Sequence, residues 1–232
     1  MNKLSKVVFT DIDGTLLRGF ITLDFVNYLY ENGFFDSIQY QKQIDLMNLF
    51  KIGAIDSLIW LKRWASIWGK GIKNKSEVTL AKKARTFFKN YSKFYPSSKN
   101  LVKYFHEKGY LVVGVSVGVI EVDELVKKYL NLDEVISSKV EVKNGLYTGK
   151  VITKLHTKFG KKNSVLSYSK INAVKLSNCV GIGNSLHDVQ FIDLVGLKIA
   201  LNADSVLLAY ASQQNYFVMD YKSVLNDIKY IA

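Results

Sequence analysis

Cysteine is nearly absent. Cys179 stands alone, which rules out an intramolecular disulfide and makes the cytoplasm the expected compartment. Long apolar runs are missing too: the longest, YLVVGVSVGVI at residues 110–120, is about half of the ~20 residues a membrane span needs. The opening MNKLSKVVFTD reaches an aspartate before a signal-peptide core can form, so no secretory leader is expected. Acidic residues are outnumbered, 20 Asp and Glu against 32 Lys and Arg, for a net charge of +12. Such a field suits nucleic acid, an acidic lipid surface or a small anionic substrate. The basic residues are scattered, with modest clusters at 70–75, 81–85 and 158–162 and no nucleic-acid motif. That argues against nucleic acid and for a solubility bias or attraction of phosphorylated substrates. What remains is an ordinary globular composition, with 232 residues to bury a core as one domain with an insertion or as two small domains.

Two textures alternate along the chain. β-rich apolar runs stand at VVFT (7–10), LVVGVS (111–116), CVGIG (179–183), LKIAL (197–201) and NYFVM (215–219), separated by stretches long enough for helices. This spacing predicts an α/β fold with a Rossmann-like parallel sheet buried on both faces. From about residue 20 to 92 the β runs vanish and apolar and aromatic residues recur at helical spacing. An all-helical module inserted after the first strand follows. The expected division is a core of residues 1–17 and 93–232 with a helical domain at 18–92, the only proline, Pro96, lying near its exit. Trp60, Trp64 and Trp68 share one helix face, as a core seam or as a pocket wall. Alternation around Asn144-Gly145 in VEVKNGLYTGKV (140–151) predicts a tight hairpin.

In an open parallel sheet, ligands bind beyond the carboxyl ends of the strands. Asp11 and Asp13 follow the first strand there, in DIDGT, and alternation sends both to one side. Close carboxylates repel unless a cation lies between them and a phosphate, and Mg²⁺, hard and oxygen-seeking, suits that place; a solvated Asp-x-Asp-Gly turn is the alternative for the pair alone. The second strand brings Ser116 between Gly114 and Gly118, the later one brings Asn184 and Asp188 in GNSLHD, and GKKNSVL offers Lys162 at a predicted helix start.

The order strand–DxDGT, strand–Ser, Lys, strand–GNSxxxD resembles the haloacid dehalogenase-like (HAD) phosphohydrolase superfamily over nearly the whole chain. It is most similar to the phosphoserine phosphatase-like branch, subfamily IB, whose helical C1-type cap lies between the first two motifs. The resemblance implies a HAD fold with an inserted cap and a Mg²⁺-dependent phosphatase of a small phosphorylated metabolite. Asp11 would be the nucleophile that forms an aspartyl phosphate, and Asp13 the general acid–base. Thr15, Ser116 and Val117 would hold the phosphate and Lys162 would balance charge. Asp11, Asp13 through its backbone carbonyl, Asn184 and Asp188 would hold Mg²⁺.

The chain departs from that pattern in three places. Asn184 stands where the branch has Asp, which weakens the expected metal affinity and leaves a binding-only member as an alternative. Val117 replaces the first glycine of Ser-Gly-Gly. Phe20 stands where a glutamate binds the amino group of phosphoserine, which argues against phosphoserine as substrate. Arg18 at the cap entrance is either a contact for an acidic substrate or a solvated surface residue. His187 is expected as a loop or helix-start residue, and Cys179 as buried and inert.

Overall fold

A computed structural model describes residues 6–231; residues 1–5 and 232, which the expected core domain includes, lie outside the described residues. The strands are β1 (Lys6–Thr10), β2 (Tyr110–Val119), β3 (Glu134–Ser138), β4 (Val140–Lys143), β5 (Leu146–Val151), β6 (Val180–Gly183), β7 (Leu197–Leu201) and β8 (Phe217–Met219). Six of them form one sheet in the order β3-β2-β1-β6-β7-β8, each pair parallel. The α/β expectation holds, with one strand more than the apolar runs indicated.

Alternation along β1 divides the core. Val8 packs with Val112, Val180 and Ile182 on one face, while Val7 and Phe9 pack with Val113, Val115 and Val165 on the other. Val7, Val8 and Phe9 have no solvent exposure, as a strand covered on both faces requires.

Among the described residues five helices separate β1 from β2 in sequence, and the first four make up the inserted segment: α1 (Ile21–Glu31), α2 (Ser37–Lys51), α3 (Ser57–Gly71) and α4 (Glu77–Lys89). Asp36, Asp56 and Ser76 cap α2, α3 and α4, each side chain accepting an N–H of the first turn. The chain enters and leaves this segment through adjacent stretches. Leu17 pairs with Phe94, Arg18 N–H donates to Lys93 O at 2.7 Å, and Tyr95 N–H donates to Leu16 O at 3.2 Å. Trp60, Trp64 and Trp68 stack in sequence along α3, with ring centroids 6.3 and 6.5 Å apart, and all three are buried. Arg18 is exposed and stacks over Tyr95 and Tyr221, at 5.2 and 5.5 Å from their centroids.

β4 and β5 form the hairpin expected at Asn144-Gly145, both turn residues taking positive φ (51° and 76°). The hairpin ties the inserted helices to the sheet side. Tyr147 exchanges backbone hydrogen bonds with Asn74 and Lys75 between α3 and α4, while its hydroxyl donates to Glu121 at 2.8 Å. Glu121 belongs to α6 (Ile120–Leu130), which follows β2 directly, after α5 (Ser98–Glu107) has led into that strand. The rest of the chain supplies α7 (Gly160–Ile171), α8 (Val189–Ile192), α9 (Ser205–Ala211) and α10 (Val224–Asp227). Among the described residues no helix is long and apolar enough to cross a membrane.

Candidate active site

β1 ends against β6, Asp11 N–H donating to Ile182 O at 2.8 Å, so the residues that follow both strands meet at one rim. The turn after β1 closes on Ile12, whose carbonyl accepts the N–H groups of Thr15, Leu16 and Leu17. Gly14, at φ +81°, is needed twice over: few side chains tolerate that φ, and a Cβ there would strike the Asn184 amide.

Asp11 is held from two sides. Its Oδ1 accepts the Lys161 ammonium at 2.6 Å and its Oδ2 accepts the Thr15 hydroxyl at 2.9 Å. Lys161 also donates to Asp188 Oδ1 at 2.6 Å, bridging the ends of β1 and β6, and is only 2% exposed. Here the sequence expectation needs correcting: the buried lysine is Lys161, whereas Lys162 is partly exposed. Helical phase is the reason. α7 begins at Gly160, and its buried face runs through Lys161, Val165 and Tyr168, leaving Lys162 about 100° around the helix.

Asp188 is fully engaged. Its Oδ2 accepts the backbone N–H groups of Asn184 and Ser185 at 3.1 and 3.0 Å and the Ser185 hydroxyl at 2.9 Å. Asn184 Oδ1 lies 3.2 Å from the Thr15 hydroxyl, so Asp11 and Asn184 meet at one side chain. Asp13 Oδ1 accepts the N–H of Ile21, the first residue of α1, at 2.8 Å. Ser116 Oγ accepts Gly118 N–H at 2.9 Å. Val117 continues β2 without positive φ, so the valine fits where the family has glycine. Gly118 cannot be replaced as easily: a Cβ there would come within 2.8 Å of Ser116 Oγ and 2.9 Å of Thr22 Oγ1.

Burial and repulsion spread the acidities of these groups. Desolvation and then the neighbouring Asp188 push Asp11 up to about 6, against the pull of Lys161. Desolvation disfavours the Lys161 cation, but the two carboxylates more than offset it and raise its pKa. Burial also works against ionised Asp188, yet Lys161 and the loop donors hold it below the usual carboxylate range. Asp13 is raised well above that range, by desolvation first and by Asp123 second.

Asp123 is a residue that the sequence motifs gave no reason to single out. It is fully buried on α6 behind Ser116, accepts the Ser137 hydroxyl at 2.7 Å, and is pushed to about 7 by desolvation. The one signal for it was helical phase, since Asp123 falls on the apolar side of α6 beside Val122 and Val126. His187 is driven down to about 4 by burial and then by Lys161, so it is neutral near pH 7. Cys179 is buried, and its thiol is raised by desolvation.

The arrangement offers an oriented carboxylate (Asp11), a second carboxyl whose burial favours its neutral form (Asp13), and a buried ammonium, Lys161, between Asp11 and Asp188. Among the described residues no cluster of three or more His, Cys, Asp or Glu forms a metal centre. The donors at hand are hard oxygens, and the convergence of Asp11 and Asn184 on Thr15 fits a cation that takes only one or two carboxylates, as Mg²⁺ does.

Comparison with known proteins bears on the family and the fold. Over 121 residues the chain is 31% identical to a phosphoserine phosphatase of Streptococcus thermophilus, covering 52% of this chain and 56% of that protein. The match to a phosphoserine phosphatase of Streptomyces coelicolor spans only 27% of that protein's length. A Bordetella pertussis protein of unknown function superposes with a TM-score of 0.79 at 19% identity, over 94% of this chain and 100% of the other. A phospho-aspartyl intermediate analogue of phosphoserine phosphatase superposes with a TM-score of 0.69 at 22% identity, over 99% of this chain and 100% of the other. At these identities the superpositions speak for the fold. The haloacid dehalogenase-like hydrolase family model matches residues 8–193, most of the chain, and the protein belongs to that family.

Proposed function

We propose that the protein is a Mg²⁺-dependent phosphatase of a small phosphorylated metabolite, working in the cytoplasm through an aspartyl phosphate on Asp11. The observation that carries this reading is the pairing of two carboxylates one residue apart in different environments. Asp11 is oriented by Lys161 and Thr15, and Asp13 is buried, where desolvation favours its neutral form. An oxygen of Asp11 attacks phosphorus while the ester P–O bond breaks, and the leaving alkoxide takes the Asp13 proton. The Asp13 carboxylate then takes a proton from water, whose oxygen displaces Asp11 and releases phosphate. With Oδ1 fixed by the Ile21 N–H, the other Asp13 oxygen carries the transferable proton.

Asp11, Asn184 and the Asp13 carbonyl would hold Mg²⁺, which supplies positive charge to the phosphoryl oxygens. Asp188, already committed to Lys161 and its own loop, positions that lysine rather than serving chiefly as a metal ligand. Ser116 and the backbone of Val117 complete the phosphate cradle. Residues 18–92 act as the cap over the core of residues 1–17 and 93–232, since the helices enter and leave through one paired linker. Phe20 in place of a carboxylate argues against phosphoserine as the preferred substrate.

Turnover of p-nitrophenyl phosphate that requires Mg²⁺ and disappears in a folded Asp11→Asn variant is the expected result. A folded protein inert across a broad panel of phosphate esters would reject it. Asn184, which gives the metal no charge, favours one second reading: a member that binds phosphorylated ligands without turning them over.

A further inference from the structure

Beside Asp13 lies a crevice whose opposite walls come from different parts of the chain. Phe20, Leu23, Trp60 and Trp64 line it from the inserted segment, and Val117 and Gly118 line it from β2. Asp13 is among its lining residues, and Thr22 supplies the one other side-chain oxygen in the lining. The Thr22 hydroxyl already accepts Val119 N–H at 3.3 Å. Phe20 and Trp60 lie 6.0 Å apart at 45°, and Trp60 and Trp64 are nearly parallel, 22° apart.

If Asp13 protonates the leaving oxygen, the alcohol part of the ester extends from Asp13 into this crevice. Apart from Asp13 no charged side chain lines it, so a carboxylate on the alcohol would lose hydration without a partner, and an ammonium would find only Asp13, which the leaving oxygen already uses. A flat apolar group meets three aromatic walls instead. Trp64 adds an unused donor, since its buried Nε1–H has no acceptor among the described residues.

We infer that the substrate is a phosphomonoester of an uncharged aromatic alcohol, whose ring inserts between Phe20 and the Trp60–Trp64 pair. This rests on the reading of Asp11 and Asp13 above. The crevice now encloses about 20 Å³, room for roughly one water, so the ring enters as its two walls part. Phe20, 45% exposed at the mouth, is the residue free to give way.

Isothermal titration with Mg²⁺ and non-hydrolysable phosphonates separates this inference from the question of turnover. Benzylphosphonate is expected to bind at least about tenfold tighter than methylphosphonate or 2-aminoethylphosphonate. The benzyl-to-methyl ratio should fall severalfold in Trp60→Ala and in Phe20→Ala, the second being a rim substitution that spares the core. Equal or tighter binding of the aminoethyl ligand, or a ratio unchanged in both variants, overturns the inference while leaving a phosphate site intact. Failure of all three phosphonates to bind overturns the phosphate site and the inference together. Tight benzylphosphonate binding without hydrolysis of benzyl phosphate would leave an aromatic binding site but overturn both the phosphatase and the inference that this ester is its substrate.

Discussion

Replacing Lys161 by methionine tests the centre of the site, because that ammonium bridges two buried carboxylates. It lies 2.6 Å from each, and Lys161, Asp11 and Asp188 are all essentially buried. Methionine fills much of the same volume but leaves Asp11 and Asp188 facing one another without a counter-charge. Removing one partner of a buried ion pair costs roughly 3–5 kcal/mol, which for a chain of this size lowers Tm by about 6–20 °C at neutral pH. The loss should shrink with acidity. Without the lysine both carboxylates have raised folded-state pKa values, so lowering the pH through them protonates the folded form and restores stability. Lys162→Met, one residue away on the partly exposed side of α7, should change stability by no more than about 0.5 kcal/mol. Differential scanning fluorimetry of both variants between pH 5 and 8 reads all of this at once. Equal Tm losses in the two variants, or a Lys161→Met loss that grows as pH falls, would refute the reasoning.

The nucleophile must be ionised, and Asp11 sits near 6, so kcat/KM should fall on the acid side near pH 6 at limiting Mg²⁺; raising Mg²⁺ should move that limb to lower pH. Asn184→Asp adds a negative charge where the chain has only an amide, and should lower the Mg²⁺ concentration for half-maximal activity by about tenfold, measured by metal titration. Asp123 has a folded-state pKa near 7, raised above its ordinary 3.8, so its contribution to stability is complete below about pH 4 and is lost as pH rises through 7. Between pH 8 and pH 6 that gain is on the order of 1 kcal/mol, and urea denaturation should show the rise in stability from pH 8 to pH 6 smaller by about that amount in Asp123→Asn than in the wild type. Gly118→Ala forces a methyl group against Ser116 and Thr22, and should raise KM for phosphate esters more than it lowers thermal stability.

Motif order made much of the site legible. Asp11, Asp13, Thr15, Asn184 and Asp188 follow an apolar strand or its turn and Ser116 lies in the last part of β2, and parallel strands deliver such residues to one edge. The lysine was misread by one position because a motif spacing carries no helical phase; Val165 and Tyr168 carry that phase, and they select Lys161. β3 was missed because EVISS has no long apolar run: it is short, at the sheet edge, and only Ser137 and Ser138 are buried. Periodicity placed Trp60, Trp64 and Trp68 on one face but could not say what that face meets. It meets both the core and the crevice beside Asp13, so seam and wall are true of the same stripe. Asp123 was hidden by its type, since an aspartate on an amphipathic helix reads as solvated until its neighbours are known.

The most direct measurement is acid-quenched peptide mapping of the wild type during turnover of an aryl phosphate with Mg²⁺. The account predicts one acid-stable, hydroxylamine-labile phosphoryl group on the peptide that contains Asp11, absent when Asp11 is changed to Asn. A phosphoryl group on another residue, or turnover that survives Asp11→Asn, would contradict it.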